Sequence, residues 1–139
     1  MKTVIRRNIF ETNSSSAHVL SLVSDEDFMI KPSSQLIQLN FNDYGWYGPD
    51  VISYKDKLNY LYALAQSKDI SDDEFLKRIT KIVPNDCVVY LPIKSTRDYY
   101  WGNCSYIDHQ SVDLLEEEGV SWEDFLNKPY KIEIRNDNE

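Results

Sequence analysis

Several short segments of this chain alternate apolar and polar residues, which is typical of strands with one buried face. The alternation predicts strands over residues 18–23 and 35–41 and a closing strand over 130–135. Residues 3–10 alternate only in part, but their β-branched and aromatic residues also predict a strand. Residues 87–91 form a nearly continuous apolar run bounded by Pro92. That run predicts a strand in the middle of the sheet.

Two helices are predicted between the strand over 35–41 and the strand over 87–91. Over residues 53–67, apolar side chains recur every three or four positions and form one stripe along a helix: Tyr54, Leu58, Leu61 and Ala65. Ser71 and Glu74 have the spacing of a capping box, which begins a second helix that Pro84 ends.

Residues 108–127 predict two further short helices. The first runs from Asp108 to about Glu118 with Gly119 at the C′ position, and the second is capped by Ser121. No lysine or arginine lies in this stretch, which contains seven carboxylates: Asp108, Asp113, Glu116, Glu117, Glu118, Glu123 and Asp124. The carboxylates form either a solvated helix face or an acidic surface that competes with nucleic acid for a basic groove.

The order of predicted elements is β, β, β, α, α, β, α, α, β. This order indicates an α+β fold, with three to four helices packed on a mixed or mainly antiparallel sheet of about five strands. A chain of 139 residues fits a single domain over 1–139.

Charge and composition narrow the functional classes. The formal net charge of −8 argues against a binder of duplex nucleic acid and leaves open a partner with a basic surface. No apolar run approaches the roughly 20 residues that span a bilayer, and the start of the chain lacks the apolar stretch of a signal peptide. We therefore expect a cytoplasmic protein without a membrane partner, in which Cys87 and Cys104 are reduced thiols.

A dense polar segment follows the first predicted strand and is the main candidate for a binding site. Such residues often bond their own backbone in a tight turn. Alternatively, their hydroxyl and backbone N–H groups converge on an anion with help from an arginine. The candidate residues are Arg7, Glu11, Asn13, Ser14, Ser15, Ser16 and His18.

The two histidines of the chain both lie in polar segments, His18 in the first and His109 beside Asp108 and Ser111. Imidazole serves as acid, base or metal ligand, and a carboxylate such as Glu11 or Asp108 can fix its tautomer. These four residues are the catalytic candidates. Alternatively, Asp108 caps the helix that follows it.

Two glycine-containing segments are rich in aromatic residues and are candidates for a partner-binding surface, because tyrosine and tryptophan are enriched in interfaces. Aromatic side chains in such loops also often cover a small core. The candidates are Tyr44, Trp46, Tyr47, Tyr99, Tyr100 and Trp101.

Residues 7–18, 106–111 and 135–138 resemble blocks that recur in small uncharacterised bacteriophage proteins. Ala17 stands where the similar proteins often carry a further serine. The resemblance implies a phage or prophage product in the cytoplasm of a bacterial host, and it brings no established activity. If the first and last strands are neighbours, the three blocks would line one pocket that includes Asp137.

Three functional hypotheses follow. The first is a phage accessory protein that inhibits or redirects a host protein, such as a nuclease of a defence system, whose surface is basic or accepts aromatic side chains. The second is a hydrolase of a phosphoester or nucleotide, with or without a divalent metal. The third is a protein that sequesters a nucleotide-like ligand. Neither the ligand nor any cofactor is identified by the sequence.

Overall fold

The fold is described by a computed structural model over residues 2–6, 16–23, 32, 35–45, 50–94, 104–108 and 111–136. For residues 2–6, 16, 17, 135 and 136 the description covers the backbone alone. In chain order the elements are β1 (Lys2–Arg6), β2 (Ser16–Val23), β3 (Leu36–Gln38), β4 (Asp43–Tyr44), α1 (Tyr54–Ser67), α2 (Asp72–Thr80), β5 (Val88–Tyr90), β6 (Tyr106–Ile107), α3 (Leu114–Glu117), α4 (Trp122–Asn127) and β7 (Tyr130–Asn136).

The largest sheet has three antiparallel strands in the order β1-β2-β7. The central strand β2 is buried on both faces from His18 to Ser21. Because β2 lies between β1 and β7, the first and last strands are not neighbours. Val51 extends the sheet beyond β7 by exchanging two backbone hydrogen bonds with Ile132.

Two small parallel ladders, β3 with β5 and β4 with β6, complete the strands of the described residues. The α+β class is confirmed, but the strands form three small sheets rather than one sheet of about five strands. The prediction that residues 87–91 lie in the middle of the sheet is wrong. β5 pairs with β3 in a two-stranded ladder, and the side chains of Val88 and Tyr90 point away from the core.

Helix α1 is the centre of the core. It begins at a complete capping box, in which Ser53 accepts a hydrogen bond from the Asp56 N–H and Asp56 bonds the Ser53 N–H. The predicted stripe of Tyr54, Leu58, Leu61 and Ala65 is buried, but so are ten of the fourteen residues of the helix. The helix is therefore surrounded by other elements rather than packed along one face.

Short polar caps define the other helices. Ser71 caps α2 and Ser121 caps α4, each through its side-chain oxygen. Gly119 has a φ of 70°, as the predicted C′ position requires. The prediction that Asp108 opens a helix is wrong, because α3 begins only at Leu114, after a turn in which the Ser111 N–H bonds the Asp108 carbonyl.

Candidate functional site

His18 lies on β2 and faces α1. Its Nδ1 is 3.1 Å from the hydroxyl oxygen of Tyr60, and both side chains are fully buried. The Tyr60 ring also packs edge-on against Tyr44, with ring centroids 5.1 Å apart, and contacts Phe125. The imidazole is thus held by an aromatic cluster in the core.

Burial dominates the electrostatics of His18 and lowers its pKa from 6.5 to about 4. The charge of Asp108 and the backbone of Tyr44 and Gly45 raise the pKa of His18, but by less than burial lowers it. The ring is therefore neutral at pH 7. Within the described part of the chain, its Nε2 has no hydrogen-bond partner of ordinary length and angle. The backbone of Tyr44 and Gly45 nevertheless lies close enough to favour the protonated imidazole.

Asp108 is brought to this cluster by the β4 and β6 ladder. The ladder aligns Tyr44 with Ile107, and the Asp108 N–H bonds the Tyr44 carbonyl at 3.3 Å. The Asp108 side chain is buried, and its charge raises the pKa of Tyr60, for which burial is the larger cause. Ser111 is also buried, one turn after Asp108.

At the residues that the structure describes, the segment containing His18 therefore lies near each of the other two segments. His18 and Asp108 interact electrostatically, and Ser16 lies opposite Asn136 in the pairing of β2 with β7. That pairing brings the first and last segments together without requiring β1 to contact β7. Several predicted site residues lie outside the described residues: Arg7, Glu11, Asn13, Ser14, Ser15, His109 and Asp137.

The accessibility of His18 limits its chemistry. A general acid or base must contact its substrate, and the His18 side chain has no exposed surface in this arrangement. No group of three or more histidine, cysteine, aspartate or glutamate side chains within the described ranges is placed to hold a metal ion. The geometry therefore favours a structural role for the imidazole.

Two buried polar residues of α1 were not predicted from the sequence. Tyr60 holds His18, and the fully buried Lys57 donates from Nζ to the Lys128 carbonyl at 2.8 Å while lying over the Phe125 ring. Burial lowers the pKa of Lys57 to about 8. The apolar run from Tyr60 to Ala65 is a signal of burial on more than one face that the predicted stripe did not use, whereas nothing in the sequence identifies Lys57 as buried.

The partner-binding candidates have different outcomes. The prediction that Tyr44 lies on the surface is wrong, because its ring is buried against Tyr60. This burial raises the pKa of Tyr44 to about 12. The pairing of β4 with β6 places Tyr44 of the first aromatic segment beside Ile107, next to Tyr106 at the end of the second aromatic segment. The remaining candidates lie outside the described residues: Trp46, Tyr47, Tyr99, Tyr100 and Trp101.

An apolar surface is instead formed by β3 and β5. The register places Leu36 beside Val88 and Gln38 beside Tyr90, so these four side chains share one face of the ladder. Leu36, Val88 and Tyr90 are 62%, 46% and 50% exposed, whereas Ile37 on the opposite face is buried. We call the surface of Leu36, Gln38, Val88 and Tyr90 the exposed strand face.

The helical side of the molecule is acidic. Residues 68–81 and 111–128 contain ten carboxylates and five lysine or arginine side chains. Lys68 links α1 to α3 by contacting Asp113 at 2.7 Å and Glu116 at 3.2 Å. Arg78 on α2 pairs with Glu74 and lies over the ring of Trp122 on α4. These cations join the helices and leave the surface with a net negative charge.

Comparisons with protein-family models, with curated proteins and with solved structures found no match to this chain. Among the helices described here, none is long and apolar enough to cross a membrane.

Proposed function

We propose that this protein is a phage-encoded accessory protein that binds a host protein and inhibits or redirects it in the bacterial cytoplasm. The observation that carries the proposal is the exposed strand face. Parallel strands are normally covered on both faces, yet Leu36, Val88 and Tyr90 are about half exposed or more on the outer face of β3 and β5. Contiguous exposed apolar side chains mark interaction sites.

Charge supplies the second support and indicates the kind of partner. The chain has a net charge of −8, and the helices contribute twice as many carboxylates as basic side chains. A partner that covers the exposed strand face would meet this acidic field as it approaches. Association is therefore fastest with a protein whose surface is basic around an apolar centre.

The experiment is affinity capture from a bacterial host lysate with the wild-type chain and with a Leu36→Gln/Val88→Thr variant. Because both replaced side chains are exposed, the free energy of unfolding of the variant should lie within about 0.5 kcal/mol of the wild-type value. Ile52→Thr is the matched control, because Ile52 is also a half-exposed apolar residue but lies outside β3 and β5.

We expect one host protein to be retained by the wild type and by Ile52→Thr and to be lost with the double variant. Retention of the same protein by all three would refute an interface on the exposed strand face. A thermal melt of each variant checks that lost binding does not reflect lost folding.

A nucleotide-binding or hydrolytic role is the alternative, supported by the charge interaction of Asp108 with His18 and by the buried Ser111 one turn after Asp108. The burial of His18 weighs against turnover. The alternative predicts phosphoester hydrolysis, with or without added magnesium, that His18→Gln abolishes. A folded wild type that neither binds nor hydrolyses nucleotides would remove it.

A further inference from the structure

A groove lies on the side of the molecule where β4 and β6 meet the turn between α1 and α2. It consists of two depressions that share Cys104 and have volumes of about 380 Å³ and about 500 Å³. Asp43 and Tyr106 line the smaller depression, and Asp69, Asp72, Asp73 and Lys94 line the larger one.

An aromatic ring forms one wall of the smaller depression. Tyr106 is 52% exposed, and its ring packs directly on Gly45, where a Cβ atom would lie only 2.7 Å from the ring carbon Cε2. The Asp43 carboxylate is held beside this ring, because its Oδ1 accepts a hydrogen bond from the Gly45 N–H at 2.9 Å. The ring and the carboxylate are therefore fixed next to each other.

The larger depression is negatively charged. Among the described residues, its lining contains Asp69, Asp72 and Asp73 and one basic side chain, Lys94, which contacts Asp72 at 3.3 Å. Asp72 also accepts a hydrogen bond from the Tyr62 hydroxyl at 3.2 Å. With Asp43, the described lining of the groove thus has four carboxylates and one basic side chain.

The backbone between the two depressions is fixed before any ligand arrives. Gln66 of α1 accepts a hydrogen bond from the Ser105 N–H at 2.8 Å, and the Ser105 hydroxyl accepts one from the Asn42 N–H at 3.1 Å. A preformed groove loses little conformational entropy when it is filled.

We propose that this groove binds an arginine or lysine side chain from an extended basic segment of a partner protein. The Tyr106 ring offers its face to the cation, and Asp43 together with the carboxylates beyond Cys104 supplies charge-assisted hydrogen bonds. The inference rests on the proposed function, because it names the chemistry of the same partner, but it uses residues outside the exposed strand face.

The test uses defined peptides, so that it does not depend on the host partner. The probe is a short blocked peptide with two arginines separated by glycine, and the comparison peptide has citrulline, the uncharged analogue, at both positions. Binding is followed by NMR chemical shifts in the isotope-labelled full chain. We expect the arginine peptide to shift the signals of Asp43, Cys104 and Tyr106 and to bind more weakly as salt rises.

Asp43→Asn has a matched control in Asp50→Asn. Each carboxylate accepts a backbone N–H through Oδ1, Asp43 from Gly45 and Asp50 from Ile134, and Asp50 does not line the groove. Both substitutions keep that acceptor and remove one charge. We expect Asp43→Asn and Tyr106→Leu each to weaken the arginine peptide about two- to fivefold, and Asp50→Asn to leave binding unchanged.

Equal weakening by Asp50→Asn, equal binding of the citrulline peptide, or no binding of the arginine peptide at millimolar concentration would each overturn the groove assignment. None of these outcomes affects capture of a host protein through Leu36 and Val88. Conversely, if no host protein is captured through the exposed strand face, the peptide measurements still test the groove, because they use defined peptides.

Discussion

Acid should destabilise this protein through one residue, His18. Its folded-state pKa is about 4 because the ring is buried, and its pKa in the unfolded chain is close to 6.5. Between these values the unfolded chain binds a proton that the folded chain does not bind. Stability is therefore greatest above about pH 6.5 and falls as the pH is lowered toward 4.

The magnitude follows from the two pKa values. They give a loss of about 2 kcal/mol in the free energy of unfolding between pH 7 and pH 5, and of about 3 kcal/mol in the acid limit. A domain of this size has a total stability of roughly 5–15 kcal/mol, so the change is easily measured.

The assay is urea unfolding at pH 7 and pH 5 for the wild type, His18→Gln and His109→Gln. Glutamine can still bond the Tyr60 hydroxyl but does not titrate. We expect His18→Gln to be less stable than the wild type at pH 7 and to lose about 2 kcal/mol less on going to pH 5. If the wild type and His18→Gln lose the same stability, or if His109→Gln removes the dependence instead, the burial of His18 is not its cause.

Four further substitutions test the fold. Because burial lowers the pKa of Lys57, the free energy of unfolding should rise with pH between about 8 and 10.5. Lys57→Met should abolish this rise and change the free energy of unfolding at pH 7 by about 1 kcal/mol or less. Urea unfolding at pH 7.5 and 9.5 measures the rise. Ser53→Ala removes the cap of α1 and should cost about 1 kcal/mol in the same assay; no loss would mean that the cap is dispensable. Gly45→Ala should cost about 1–3 kcal/mol by thermal unfolding, and Tyr106→Leu should restore most of that loss if the ring is the obstacle.

Local sequence signals predicted the helical half of the fold well. Ser71 and Ser121 each cap a helix as expected, because a cap depends on a few neighbouring residues and not on tertiary contacts. The positive φ of Gly119 was predictable for the same reason.

Strand placement was less predictable, because it depends on which strands pair. The apolar run over 87–91 resembled a central strand, yet the strand buried on both faces is β2, which includes His18 and Ser21. Sequence alone does not reveal that β5 pairs with β3 in a two-stranded ladder that leaves Val88 and Tyr90 exposed.

The candidate site was predicted in part. The sequence named His18 and Asp108 as candidates, and the fold brings the two into electrostatic interaction, while their catalytic role stays a prediction. Tyr60, which contacts His18, was not predicted, because it comes from the distant helix α1. The aromatic segments suggested a surface, whereas Tyr44 is part of the core. The exposed strand face was missed because its residues are ordinary core types.

The most direct test of the proposed function is site-specific photo-crosslinking inside the bacterial host. A benzoylphenylalanine placed at Tyr90 replaces one exposed aromatic ring by another on the exposed strand face, and the same group at Ile52 is the control. We predict one discrete crosslinked host protein from position 90 and none from position 52. No adduct from position 90, or the same adducts from both positions, would contradict an interface on β3 and β5.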